Sequence, residues 1–247
     1  MSIVYPKESK SISSDFKKNY WGSLFGPSES LALLEFAEAN EGIVLYIARD
    51  IKHYDEINKS LAFFKNSIEI LSFASWEVLA FDHFSPHPDI ISSRLNTLAK
   101  LSSIKSAIVV TTIEALSQRI CPKNYIEKYS LVLKKNQNLE IDSFIESLIR
   151  IGYRRVTTVM EQGEFTLKGA LIDMYPMGAK NPYRIDLFDN EIESIRSFDP
   201  SSQRSIKVIE QIQLLPAREF ASDKDSINIF KENYLSEFDN SDGFIFT

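Results

Sequence analysis

Apolar residues fall into two rhythms along this 247-residue chain, and the change of rhythm divides it. In the first half, three- and four-residue steps alternate with short apolar runs. Residues 28–39 carry Leu31, Leu34 and Phe36 and predict a helix, with Ser28 or Ser30 as its cap. The run Ile43-Val44-Leu45-Tyr46-Ile47 predicts a strand buried on both faces. Ile51, Tyr54, Ile57, Leu61 and Phe64 recur at helical steps, so 50–64 predicts a second helix. Strands are expected at 68–73, 78–81 and 106–111, and a helix at 90–101. Strand and helix in alternation imply an α/β domain with a mainly parallel sheet.

From residue 143 onward the chain reads differently. A helix over 143–150 is expected to open with Ser143 and Glu146 as a capping box and to stop at Gly152. Strands follow at 154–160, 164–175, 183–188, 192–198 and 206–214, joined by loops short enough for antiparallel neighbours. Asp189-Asn190 suits a tight turn, since both residues tolerate positive φ. A helix over 225–238 and an apolar, strand-like 243–247 close the chain, whose ending suggests a cut through a longer protein. The expected organisation is therefore 1–130 as the first part of an α/β domain, 131–215 as a separate α+β module, and 216–247 as a return segment.

Composition narrows the function. The net charge is −6, which leaves no overall basic footprint for gripping phosphates, so strong nucleic-acid binding is not expected of this chain. The lone Cys121 cannot form an internal disulfide, no Cys/His pair has zinc spacing, and 1–18 lacks the apolar stretch of a signal peptide. A cytoplasmic protein is expected, with neither cofactor nor metal.

The expected catalytic sites fail on inspection. Gly22-Ser23-Leu24-Phe25-Gly26-Pro27-Ser28 approaches a phosphate-binding loop before a helix. Its glycines are one residue too close, Pro27 stands where the lysine belongs, and that proline removes an amide donor. The turn survives in a degenerate form and the chemistry does not. His83 and His87 are separated by Pro86, which breaks the helix that a metal pair would need, so a structured loop is expected there. No serine has a paired histidine, and no two carboxylates form an acid–base couple.

A different surface stands out. In 183–188, Tyr183, Ile185 and Leu187 share one face, while Arg184, Asp186 and Phe188 share the other. In the strand before it, Phe165, Leu167 and Leu171 are expected inward, and Thr166 and Lys168 outward. If the strands pair, Lys168, Arg184 and Phe188 form one outward cluster of the aromatic and cationic kind that anchors interfaces. The same alternation equally permits Phe188 to cover a sheet edge or to pack beneath a helix.

The motifs of this region carry a resemblance. Residues 163–173 (GEFTLKGALID), Pro176-Met177-Gly178, and 182–189 (PYRIDLFD), with Leu214-Leu215-Pro216-Ala217-Arg218-Glu219-Phe220, resemble the bacterial transcription-repair coupling factor family. So do 85–91 (SPHPDII) and 108–116 (VVTTIEAL after Ile108), and the likeness runs from about residue 10 to about 235. The resemblance implies a region like the excision-repair subunit UvrB stripped of ATPase function: a degenerate P-loop-NTPase-like domain with an inserted module that binds the excision-repair protein UvrA. By motif position the binding residues are Lys168, Arg184 and Phe188, with Thr166 and Asp186 as lesser members. The family usually has Arg where this chain has Lys168. The full-length family protein also engages RNA polymerase, hydrolyses ATP to translocate on DNA, and masks the UvrA surface with a C-terminal domain. The resemblance thus implies a non-catalytic docking fragment. Two alternatives remain: an ATP- and DNA-binding excinuclease-type helicase subunit, which the missing lysine opposes, and an unrelated enzyme on an α/β scaffold, which the absent acid, base and nucleophile oppose.

Overall fold

The computed structural model describes residues 21–64, 67–78, 83–221 and 224–237. Most of the strand expected at 78–81 and the ending at 243–247 lie outside the described residues, as does 1–18. In chain order the first elements are α1 (Ser28–Ala39), β1 (Ile43–Ala48), α2 (Ile51–Phe63), β2 (Glu69–Phe73), α3 (Pro88–Leu101), β3 (Ala107–Thr112), α4 (Ile113–Ser117) and α5 (Lys123–Tyr129). Then come β4 (Leu131–Lys134), α6 (Ile141–Arg150), β5 (Arg154–Arg155), β6 (Glu164–Lys168), β7 (Leu171–Tyr175), β8 (Tyr183–Phe188), β9 (Glu191–Phe198), β10 (Ser205–Ile209), β11 (Gln211–Leu214) and α7 (Lys224–Glu237).

These elements form a mixed α/β chain of two compact units, the first within 1–86 and 100–119, the second within 87–99 and 120–247. The units cut the chain elsewhere than the segments read from sequence, because most of α3 joins the second unit, with Leu95 in its core.

In the first unit, β1-β3-β2 form a parallel sheet, as the alternation of strand and helix requires. Leu33, Leu34 and Ala37 of α1 and Tyr54, Ile57 and Leu61 of α2 pack with Ala48, Ile108 and Val110 of the strands. The central β3 is buried along its whole length. The expectation that β1 is buried on both faces is not met. As an edge strand it turns Val44 and Tyr46 to the core but leaves Ile43, Leu45 and Ile47 about half exposed, at 46%, 50% and 48%. The helix caps also differ. Pro27 occupies the position before α1, and Ser30 is buried with its hydroxyl unpartnered, so neither serine caps by the expected bond.

In the second unit, strands β10-β9-β8-β7-β6-β5 form a six-stranded sheet, antiparallel except for β5 beside β6. Its core face carries Phe165, Ile172, Met174, Ile185, Leu187, Ile192 and Ile195, packed with Phe144 and Leu148 of α6. Leu171 is not among them, contrary to expectation. It pairs across the strands with Lys168 and Asp186 and so shares their face, while its neighbour Ile172 turns inward. The expected strand at 206–214 divides at Glu210: β10 continues the six-stranded sheet and β11 pairs with β4. α6 begins two residues early because the Glu140 carboxylate, not Ser143, accepts the amides of Asp142 and Ser143. α3 likewise begins at Pro88, since a first-turn proline sacrifices no helical hydrogen bond. Gly152 ends α6 at φ 96, where Arg218 leaves no room for a Cβ. Among the described residues, no helix is long and apolar enough to cross a membrane.

Candidate docking face

The two hairpins β6–β7 and β8–β9 turn at the same end of the six-stranded sheet. Gly169 turns the first at φ 63 and Asp189 the second at φ 53, the backbone form that a two-residue hairpin loop demands. Of the pair Asp189-Asn190, only Asp189 takes positive φ. The Leu187 amide donates to the Ala170 carbonyl at 3.0 Å and ties the two turns together.

The face opposite the core is built in rows. Thr166, Asp173, Arg184 and Arg196 lie in register across β6 to β9, and Lys168, Leu171, Asp186 and Ser194 form the next row. Phe188 follows Asp186 by two residues on the same strand and therefore shares that face. Glu193 is the extra residue of a bulge in β9, so β8 keeps its alternation to the end. Phe188 is 71% exposed, and Lys168 is also exposed and, among the described residues, in no ion pair. From Phe188 to Arg184 is four residues of strand, roughly 13 Å.

Arg184 is not the free surface cation that alternation suggests. Its Nε and Nη2 donate to the two carboxylate oxygens of Asp173 at 2.7 and 2.9 Å, and its guanidinium lies 4.9 Å from the centre of the Phe198 ring. Only 20% of its side chain is exposed. The hydrogen bonds and charge of Asp173 raise its pKa above the ordinary arginine value. Asp186 is similarly engaged, accepting from Arg196 and Ser194. Thr166 stands on the expected face but is buried rather than solvent-facing, a correction to its place on the surface. Asp173, Phe198 and Gln203 were missed by alternation. Which residue stands across from Arg184 depends on the register, which alternation does not give.

At the other candidate site, Gly26 has φ 56 and Pro27 leads into α1. The Ser28 hydroxyl accepts from the Phe25 amide and donates to the Phe25 carbonyl, both at 2.8 Å, so it is engaged within its own turn. One residue on, the Glu29 carboxylate accepts from the Tyr46 hydroxyl at 2.6 Å and lies 3.1 Å from His53 Nε2. A carboxylate in the first turn repels phosphate from a helix N-terminus. Among the described residues, no group of His, Cys, Asp or Glu is arranged to hold a metal ion.

Residues 131–220 match the UvrB interaction domain, and the hairpin face lies inside that match. Over most of its length the chain is also similar to transcription-repair coupling factors. It is 40% identical over 218 residues to the factor of Escherichia coli (strain K12), covering 88% of this chain and 19% of that protein. With the Haemophilus influenzae factor the identity is 38% over 217 residues, again 88% and 19%. With a Staphylococcus aureus factor (strain USA300) it is 26% over 217 residues, 87% of this chain and 18% of the relative. The chain thus spans about a fifth of the length of these curated relatives.

Proposed function

We propose that the second unit docks the excision-repair protein UvrA and that the chain serves transcription-coupled repair without catalysis of its own. The observation that carries the reading is the exposed Phe188 ring on the same sheet face as Lys168, which is exposed and in no ion pair among the described residues, while the arginines of that face are paired with aspartates. An aromatic ring left in water at a hairpin end gains by burial against a partner, and such rings with arginine dominate interface energies. The match of 131–220 to a UvrB interaction domain supports the choice of partner. Lys168, Arg184 and Phe188 are the proposed contacts, and Asp186 and Thr166 shape the surface around them. In the longer protein, the docked UvrA would be brought to RNA polymerase stalled on damaged DNA by an ATP-driven translocase elsewhere in the chain. Residues 1–130 are read as the first part of a degenerate P-loop-like domain into which 131–215 is inserted, with 216–247 as a return segment; Pro27 and Glu29 support its silence towards ATP.

Calorimetric titration of UvrA tests the reading. Arg184→Ala and Phe188→Ala should each weaken binding by roughly 2 kcal/mol, the size of an interface anchor. Wild-type affinity in both variants would refute it.

A further inference from the structure

Arg184 is held from more sides than a surface arginine needs. Asp173, itself only 2% exposed, takes its Nε and Nη2 through both carboxylate oxygens. The Phe198 ring, fully buried, lies under the guanidinium. Nη1 donates to the Gln203 carbonyl at 3.3 Å. That carbonyl is held in turn. Gln203 adopts φ 59, and its side-chain amide donates to the Pro200 carbonyl at 2.7 Å and the Val159 carbonyl at 3.3 Å. The Asp199 carboxylate accepts the Ser202 amide at 2.7 Å, and the Gln203 amide donates to the Asp199 carbonyl at 2.8 Å. Residues 199–204 therefore form a strap that presents one oxygen to one guanidinium nitrogen.

A guanidinium has five N–H donors in a rigid plane. Three are engaged here, which leaves two, and one-fifth of the side chain remains exposed. A flexible arginine loses rotamer freedom when a partner immobilises it, whereas a clamped one has lost that freedom before the partner arrives. Two carboxylates, Asp173 and Asp186, already act on this cation. Its spare donors therefore suit a partner oxygen that need not bring a full charge.

We infer that Asp173 is a positioning residue for docking: it fixes the Arg184 guanidinium plane so that the donors left over meet an acceptor oxygen on the partner. This rests on the reading of the second unit as the UvrA-docking unit. The clamp makes Asp173 matter to binding through Arg184 and not by contact, which a role confined to stability does not produce.

A double-mutant cycle on the whole chain separates the two. UvrA affinity is measured by calorimetry, and melting temperature alongside it, for wild type, Asp173→Asn, Arg184→Ala and the double variant. Asp173→Asn should weaken UvrA binding about tenfold and should add less than about twofold loss in the Arg184→Ala background, as expected of coupled residues. Equal losses in both backgrounds, or wild-type affinity for Asp173→Asn, would overturn the inference. If Asp173→Asn fails to fold, Arg184→Lys decides: lysine keeps the charge but cannot fill the clamp, so it should bind UvrA as weakly as Arg184→Ala, and wild-type affinity there would refute the clamp. Phe188→Ala is the control for the underlying reading. If it and Arg184→Ala both bind UvrA normally, the docking reading and the inference fall together. If both lose affinity while the cycle is additive, only the inference falls.

Discussion

The two units solve opposite problems with similar materials. The first has a three-stranded parallel sheet with a half-exposed apolar edge at β1 and, before α1, a turn in which the Ser28 hydroxyl bonds back to the Phe25 backbone. The second has a six-stranded sheet whose core face is closed and whose other face pairs Arg184 with Asp173 and Arg196 with Asp186, and leaves Lys168 and the Phe188 ring exposed. A face with its arginines already paired and one ring exposed can hold a protein at a smaller cost of desolvating loose ions. The lesson is that unfinished groups, rather than polar ones, mark where a partner belongs.

The largest effect that sharpens this contrast lies in the second core. Phe165 is fully buried, and Phe165→Ala should destabilise the second unit by about 3–5 kcal/mol. Chemical denaturation followed by hydrogen exchange should show the loss confined to residues of that unit. Phe188→Ala is the counterpart. On a ring this exposed it should change stability by no more than about 0.5 kcal/mol while UvrA affinity drops. A loss of several kcal/mol in folding would mean that the ring is structural and would break the comparison.

These two phenylalanines also show what the sequence could and could not disclose. Alternation along 183–188 put Phe188 and Arg184 on one face and Ile185 and Leu187 on the other, and strand pairing kept them there. Alternation says nothing of what lies across a strand. Arg184 therefore looked free until the register placed Asp173 opposite it, and Thr166 looked exposed although it is buried. Leu171 was assigned to the core by carrying the alternation of β6 straight through Gly169-Ala170, where the hairpin reverses the chain. In the first unit an apolar run correctly announced β1 but could not say that it was an edge strand, because edge position is a property of sheet order. Helix starts shifted for a similar reason: Glu140 and Pro88 were the true openings, and each is a side-chain or ring effect one step outside the periodic pattern.

Smaller effects follow. Lys168→Arg introduces the residue that the family resemblance implies at this position and offers a planar fork in place of a point charge. It should tighten UvrA binding by up to about 1 kcal/mol in the same titration, and an unchanged affinity would remove Lys168 from the contact. Glu164 is buried, which raises its pKa, but the amides of Met160 and Glu161 and the guanidinium of Arg154 more than offset this and hold it below its ordinary value. A depressed carboxylate contributes stability above its unfolded pKa and loses it as the pH falls through the folded one. The second unit should therefore weaken as pH drops below the ordinary glutamate range, and Glu164→Gln should flatten that slope in a melting series. At the other site, millimolar ATP with magnesium should leave the melting temperature where it was. A rise would show a ligand bound to the folded state and revive nucleotide binding in the first unit.

The central claim is that the gripping surface is the hairpin end of the second sheet and that the turn before α1 takes no part. Hydrogen exchange on the chain with and without saturating UvrA reads both places at once. Protection should appear across 166–171 and 184–191 and be absent from 22–29. Protection at 22–29 with none at the hairpins would contradict the account.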